Sequence, residues 1–549
     1  MLCRWHVLVR LLRIAAAVAR RLKWAVPPQP FFHRCKMVGL YPHPTIMSVM
    51  PKLWRCVRQK RVFIPLVSFM TIAAVLARPT WVITRVIIND RDERRPPPAG
   101  MVDDSSRLDQ TLVAQVWDVP PDEAAAQAGL RELLATAKEK HLRVSIAGAR
   151  HSMGGQTIYP NGIQINMLTH SAMALDAQHQ LLHVQAGATW AQVIAFLDPK
   201  KLSVAIMQSN NDFSVGGSLS VNCHGWPFDR PPIDSTVRSL HLMLADGSIR
   251  TCSRAENPEL FSAVLGGYGL FGIILNADLQ VTANERYEAR QFVQPTADFL
   301  TAWRDHTQPA SEVAMALGRL SIARDDFLNE SLLYVLRRAP LPSGEVPALT
   351  EPTGYAAARA VFLASADSDY GKTLRWEAET HLITHIAGTI FSRNQLLDEA
   401  SEYLANRTDA TTDILQEYFV PPERLSDFLA ALRIIVPRNA GNLLNVTIRD
   451  VREDHDSMLR YADKNMIALV LLYHEPRTTP DQKMQQLTRE SIDAALDFGG
   501  CYYLPYRLDA TSQQFHRAYP SADQFFELKH KYDPDDLFQN EFYRKYAPN

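Results

Sequence analysis

The stretch Val144–Gln156, VSIAGARHSMGGQ, restricts the fold of this chain more than any other part of it. A short apolar strand with Val144 and Ile146 breaks at Ala147, Gly148 and Ala149. It continues through Arg150, His151 and Ser152 and reaches Gly154, Gly155 and Gln156. A chain that leaves a sheet edge in this way turns tightly around one histidine. Small residues let backbone N–H groups approach phosphate oxygens, and the histidine is placed to lie against a large ligand. Glycine-rich turns are common and a histidine beside one is compatible with a plain turn residue, so the weight of the pattern comes from two companions downstream.

The first companion follows a strand and turn at Leu182–Trp190 and a short helix at Ala191–Leu197. It reads NNDFSVGGSLSVNCHG from Asn210 to Gly225. Ser214 and Val215 lead into Gly216-Gly217, and the hydroxyls of Ser218 and Ser220 come next, so a turn here offers backbone and side-chain donors to a pyrophosphate. Asn222 and His224 read as buried, with His224 bracing that loop. The second companion is NPELFSAVLGGYGLFGII, Asn257–Ile274. A helix runs into Gly266, Gly267, Gly269 and Gly272 and leaves as a strand over Ile273–Val281, which suits backbone passing close to a flat ligand. Between the two, Asp246-Gly247 separates Leu240–Leu244 from Ile249–Cys252 and predicts a hairpin.

Upstream, Leu112–Val119 has strand character and Pro120–Lys140 carries Ala126, Leu130, Leu133, Leu134 and Ala137 at helical spacing. With the strands at Val144 and Ile163–Met167 this predicts a crossover unit whose carboxyl end holds the histidine loop, the usual ligand side of such units. The 549 residues suffice for two or three domains at ~150 residues each. Lys+Arg total 58 against Asp+Glu 59, so no basic excess points to nucleic acid. Cys3, Cys35, Cys56, Cys223, Cys252 and Cys501 form no CxxC pair and no Cys/His metal spacing, so neither a metal site nor a disulfide scaffold is expected.

The first hundred residues differ from the rest, because no acidic residue occurs before Asp90. Trp5–Val26 is apolar but interrupted by arginines and Lys23. It reads either as a basic amphipathic helix or as translated sequence ahead of a start at Met37, Met47 or Met50. Arg55, Arg58, Lys60 and Arg61 then precede the apolar run Val62–Ala77, the pattern of a signal-anchor. The expectation is one membrane anchor within 61–84 behind a basic extension (1–60). A cleaved signal peptide is the rival reading, and the body lies on the extracytoplasmic, periplasmic side, or in the cytoplasm if the start is misread. A charged, proline-rich linker (85–106) leads to the folded body near Arg107.

Taken together, GARHSMGGQ, NNDFSVGGSLSVNCHG, DGS (246–248) and NPELFSAVLGGYGLFGII resemble the FAD-binding half of the vanillyl-alcohol oxidase-type (PCMH-type) flavoprotein superfamily, which includes aldonolactone, alditol and decaprenylphosphoryl-ribose oxidases and cytokinin dehydrogenases. The resemblance implies an α+β fold. It has a two-subdomain FAD-binding domain (107–282), a substrate domain with an antiparallel sheet (283–505), and a C-terminal segment (506–549) that returns to the FAD domain. FAD would be held by Ala147, Gly148, Ala149, Arg150, His151, Ser152, Gly155, Gln156, Ser214, Val215, Gly216, Gly217, Ser220, His224, Gly225, Gly269, Gly272, Ile274 and Asn540. In several members the histidine of a G-x-x-H-S loop is joined covalently to the flavin, and His151 matches it here.

Two further segments resemble the alditol and aldonolactone oxidases, LQEYFVPPER (415–424) and LNVTIR (444–449). The latter implies that Arg449 faces substrate, while the position of the relatives' glutamate is Thr447. On the next strand Val470 and Leu472 stand where polyol oxidases carry histidine and threonine, which implies a more apolar pocket. A lysine near YLPYR in relatives is replaced here by Tyr506 and Arg507, either of which is a candidate beside the flavin, and Glu417 is a candidate base. The expected function is an oxidoreductase taking a hydride from a CH–OH carbon of a lactone, polyol or lipid-linked sugar, D-arabinono-1,4-lactone oxidase-like, with oxygen as acceptor. The alternatives are a membrane-tethered dehydrogenase donating to a quinone or cytochrome, and a flavin-binding protein that has lost its chemistry.

Overall fold

The computed structural model describes residues 76–548 except 89, 91–95, 340–344, 351–354, 367, 383–388 and 478–481. Its first layer is the crossover unit. Strands Gln115–Asp118 and Val144–Ala147 flank Ile163–Asn166, all parallel. The helix Glu123–Glu139 between them starts at Asp122, whose side chain accepts from the Ala125 N–H, and it buries the predicted stripe from Ala126 to Ala137. The expected single strand Leu112–Val119 is split into Thr111–Leu112 and Gln115–Asp118. The C-terminal segment adds itself to this sheet: the Val144 N–H donates to Leu537 O at 2.8 Å and the Gln539 N–H to Val144 O at 2.9 Å.

The second layer is a six-stranded sheet. Ile273–Ala283 lies at its centre, pairing antiparallel with Leu181–Gln185, Leu202–Val204 and Val237–Met243, and the predicted Asp246-Gly247 hairpin sets Ile249–Ser253 beside Val237–Met243. The serine-glycine stretch departs from expectation: Val215–Ser220 is a short helix with Ser214 as its N-cap, where a turn was predicted. The side chain of Ser218 is turned inward, accepting from Trp190 Nε1 and donating to Gln208.

An eight-stranded antiparallel sheet forms the third layer, in the order Ile390–Ser392, Arg286–Pro295, Glu330–Arg338, Val313–Leu320, Leu443–Val451, Met466–Pro476, Thr411–Val420, Cys501–Tyr502. The helix Leu425–Arg438 buries Phe428, Leu429 and Leu432, each contributing ~1.5–3 kcal/mol of apolar burial, and packs with helix Gln482–Asp497. Met466–Tyr473 is buried on both faces. Side chains alternate along a strand, so Val470 and Leu472 share one face, and that face lines a cavity.

Asn222 ties the second layer to this sheet by donating to Asp234 Oδ2 and Asp454 Oδ2, both at 3.0 Å. Burial, reinforced by Asp454, raises the Asp234 carboxyl well above the usual range. A native pKa above the unfolded value, ~3.9, means the folded chain holds a proton the unfolded chain releases. Its stability contribution is therefore complete below that value and is lost as pH rises through the native one. Asp234→Asn supplies the donor permanently. It is expected to raise Tm at pH 8 by about 1 °C per kcal/mol recovered, with the gain shrinking as pH falls, in a series of thermal melts.

Of the expected anchor, residues 61–75 lie outside the described residues, and the remainder falls in a helix over 76–88. That helix exposes Trp81, Ile87 and Ile88. Among the described residues, no helix is long and apolar enough to cross a membrane.

Candidate active site

A cavity of about 740 Å³ lies between the glycine-rich loops and the open face of the eight-stranded sheet. Gly148, Ala149, Arg150, His151, Ser152 and Gln156 line it from the first loop, Ser214, Gly216, Gly217 and Ser220 from the second, and Gly269, Gly272 and Ile274 from the third. Sequence-distant loops can meet here only because side chains are missing. A Cβ on Gly148 would sit 1.9 Å from Ser214 Oγ, the atom that caps the Gly217 N–H. Gly148→Ala is therefore expected to cut the flavin bound per chain at least fivefold, checked by the ratio of flavin to protein absorbance after purification. Non-glycine residues also take positive φ in these loops, at Arg150 (57°), Asn222 (50°) and Tyr268 (54°). Such strain persists only where the surroundings impose it: Arg150 is pinned by two hydrogen bonds to Gln164 Oε1, at 2.9 and 3.0 Å.

His151 stacks on Phe213, 3.8 Å between ring centroids and 10° from parallel. Its Nε2 lies 3.6 Å from Asp212 Oδ2, and Asp212 is itself held by the N–H and hydroxyl of Ser401. The imidazole is thereby fixed in plane at the cavity wall.

On the sheet side, Glu417 is 2% exposed and accepts from two partners, with His224 Nε2 2.7 Å from its Oε1 and the Tyr506 hydroxyl 3.1 Å from its Oε2. Burial pushes the Glu417 carboxyl upward, but His224, Arg449 and Tyr506 together outweigh it and hold the group below the ordinary carboxylate range. Burial, and then the Glu417 charge, drives the Tyr506 phenol well up, so it stays a neutral donor. Arg449 donates to Ser209 Oγ at 2.5 Å and lines the same cavity. His224, expected to brace the second loop, instead reaches across to the sheet.

Several predicted residues stand behind the cavity. Ala147 ends its strand in the core, and Val215 is buried in the capped helix. Gly155 donates to Asp104 Oδ2. A Cβ on Gly225 would meet Met207 O at 1.9 Å. Asn540 joins the first and third loops, donating to Gln156 O and Tyr268 O, both at 2.8 Å. Arg507 is engaged by Asp109 and Met153 O and does not line the cavity, whereas its neighbour Tyr506 does. The sequence reading missed Asp212, Phe213, Ser209, Arg319, Arg375 and Glu379. For Arg319 a signal existed, since strand alternation places it on the face of Met315 and Leu317.

Buried polar atoms on the cavity wall, Ser152 Oγ, His224 Nδ1 and Arg449 Nε among them, have no hydrogen-bond partner among the described residues. The loops that meet there through absent side chains and the donors spread along them fit a long, flat, phosphorylated ligand. Residues 123–253 match the family described as FAD binding domain. The chain carries an FAD binding domain. Its α+β layers agree with that assignment. Over 196 residues it is 32% identical to cytokinin dehydrogenase 2 of Arabidopsis thaliana, covering 36% of this chain and 39% of that protein. Longer similarities reach decaprenylphosphoryl-beta-D-ribose oxidase of Mycolicibacterium smegmatis, 24% identical over 76% of this chain and 92% of the relative. L-gulonolactone oxidase of Mus musculus is 20% identical over 76% and 92%. All three relatives are named as oxidases or dehydrogenases, and the matched residues contribute the first two of the three glycine-rich loops to the cavity.

Proposed function

We propose that this protein is an FAD-dependent oxidoreductase that oxidises a CH–OH group of a lactone, polyol or lipid-linked sugar, in the manner of a D-arabinono-1,4-lactone oxidase. The observation that carries the reading is the meeting, in one cavity, of the FAD-binding loops with the buried His224–Glu417–Tyr506 cluster. FAD would be held by the three glycine-rich loops and would supply the hydride-accepting ring. The chain's own residues supply the rest. In the tautomer with the proton on Nε2, His224 donates to Glu417 and leaves Nδ1 as a bare acceptor; it takes the substrate hydroxyl proton, and Glu417 stabilises the imidazolium that results. Arg449 supplies fixed positive charge on the same wall. Thr447, Val470 and Leu472 line the substrate side and leave few partners for a multiply hydroxylated chain, each unpaired buried hydroxyl costing ~1–3 kcal/mol. We further propose that His151 is covalently bonded to the flavin.

A second reading has one observation in its favour. The 76–88 helix exposes Trp81, Ile87 and Ile88, and just beyond it Asp90 makes a two-pronged ion pair with Arg359 at 2.5 and 2.6 Å, on the helix that supplies Ala358 and Val361 to the cavity rim. A body held there against a membrane, on its extracytoplasmic side, would pass electrons to a quinone. The test is anaerobic bleaching of the bound flavin by lactones, polyols and sugar alcohols, followed by reoxidation with oxygen or a short-chain quinone. Bleaching with fast oxygen reoxidation supports the oxidase, and fast reoxidation by quinone alone supports the second reading. Flavin that no donor bleaches would overturn both in favour of a flavin-binding protein without the chemistry.

A further inference from the structure

Three arginines, Arg319, Arg375 and Arg449, line the substrate side of the cavity. One register row across four strands runs Arg319, Thr447, Val470, Glu417, and all four side chains line the cavity. Adjacent strands are ~4.8 Å apart, so Arg319 stands about 14 Å along the sheet from Glu417. Beside Arg319 lies Glu379, which accepts from Arg319 Nη2 at 3.1 Å and from Arg375 Nε at 2.7 Å. One carboxylate thus serves the buried Arg375 and the half-buried Arg319. Arg375 is otherwise occupied, donating to Leu444 O and Asn445 Oδ1 at 2.7 and 3.0 Å. Arg319 is not: its Nε is buried without a partner among the described residues. Arg449, diagonal to Arg319 on the next strand, also has a buried Nε without a partner. A buried N–H of a charged group with no acceptor is costly unless a ligand meets it.

We propose that Arg319, backed by Arg375 and Glu379, binds an anionic oxygen group, a carboxylate or a phosphate, on the same molecule whose CH–OH is oxidised near Glu417. This rests on the cavity holding FAD and a CH–OH donor. Burial lowers the Arg375 guanidinium to about 10, still charged at neutral pH, and burial raises the Glu399 carboxyl on the same wall. The separation along the sheet places the acid several bonds from the oxidised carbon, and the apolar surface of Val470 and Leu472 lies between them. Arginine is suited to this task because its fork meets two oxygens at once.

The flavin-loaded full-length protein should be titrated anaerobically with sorbitol, gluconate and sorbitol 6-phosphate, following the flavin difference spectrum. The expected result is at least tenfold tighter binding of one acid than of sorbitol, and the preferred acid tells carboxylate from phosphate. Arg319→Gln is expected to remove the preference with flavin content unchanged. Glu379→Gln, which releases both guanidiniums, is expected to strengthen acid binding; a purely structural brace would not do so, and this variant decides the matter if Arg319→Gln does not accumulate. A flavin-loaded chain with no preference for either acid, or a preference that survives Arg319→Gln, overturns the proposal. A chain that takes up no flavin overturns the parent reading as well.

Discussion

His151→Ala is expected to convert a chain that keeps its flavin through acid precipitation into one that releases all of it. The imidazole sits at the cavity wall within the first glycine-rich loop, stacked on Phe213 and flanked by Asp212, so its ring plane and position are set before any ligand arrives. A fixed, partly buried imidazole is what a covalent tether needs, since a mobile ring would lose orientation entropy on bonding. Alanine removes the imidazole nitrogens proposed to form the bond and leaves Gly148, Gly216 and Gly217 to hold the cofactor non-covalently. The measurement is the flavin spectrum of the acid pellet and supernatant, with fluorescence on a denaturing gel. Acid-stable flavin in the variant would sink the assignment, and so would its absence from the parent chain.

Glu417→Gln is expected to lower kcat by ~10²–10⁴-fold, the range for loss of proton transfer by a positioned group, while bound flavin stays near the parent level. The amide keeps the shape and a hydrogen bond to Tyr506 but removes the charge that stabilises an imidazolium at His224. Flavin content should hold because Glu417 lies on the sheet, opposite the loops. The same variant has a pH signature. The native carboxyl is held below its unfolded pKa, ~4.3, so its stability contribution is present above that value and is lost as pH falls through the depressed one. Parent and variant melting curves should therefore be furthest apart near neutrality and converge as pH falls through the depressed value. A variant with parental kcat would remove Glu417 and His224 from proton handling.

Much of the cofactor side was legible in the sequence because its constraints are local. A backbone that must turn at positive φ or pass close to another chain needs glycine at that residue, and GARHSMGGQ or LGGYGLFG writes this in consecutive letters. The helix Glu123–Glu139 and the Asp246-Gly247 hairpin were legible for the same reason, since cap, period and turn residues each act within a few positions. Even here GGSLS misled, because Ser214 caps a helix where the glycines suggested an open turn.

The substrate side was decided by long-range pairing. His224 and Glu417 are 193 positions apart and meet only when the second loop faces the strand Thr411–Val420. Tyr506 and Arg507 are neighbours in an irregular segment, where no period says which side chain turns inward; packing gave the cavity to Tyr506 and gave Asp109 to Arg507. Arg319, Arg375 and Glu379 come from a strand, a helix and the turn after it, and their shared charge exists only once the sheet register has placed them together. The sequence by itself determined where the backbone can bend around a phosphorylated cofactor, because that depends on each residue's own sterics. Which charges confront one another across the cavity was left to the tertiary structure, because electrostatic pairing depends on distances that only the folded chain defines.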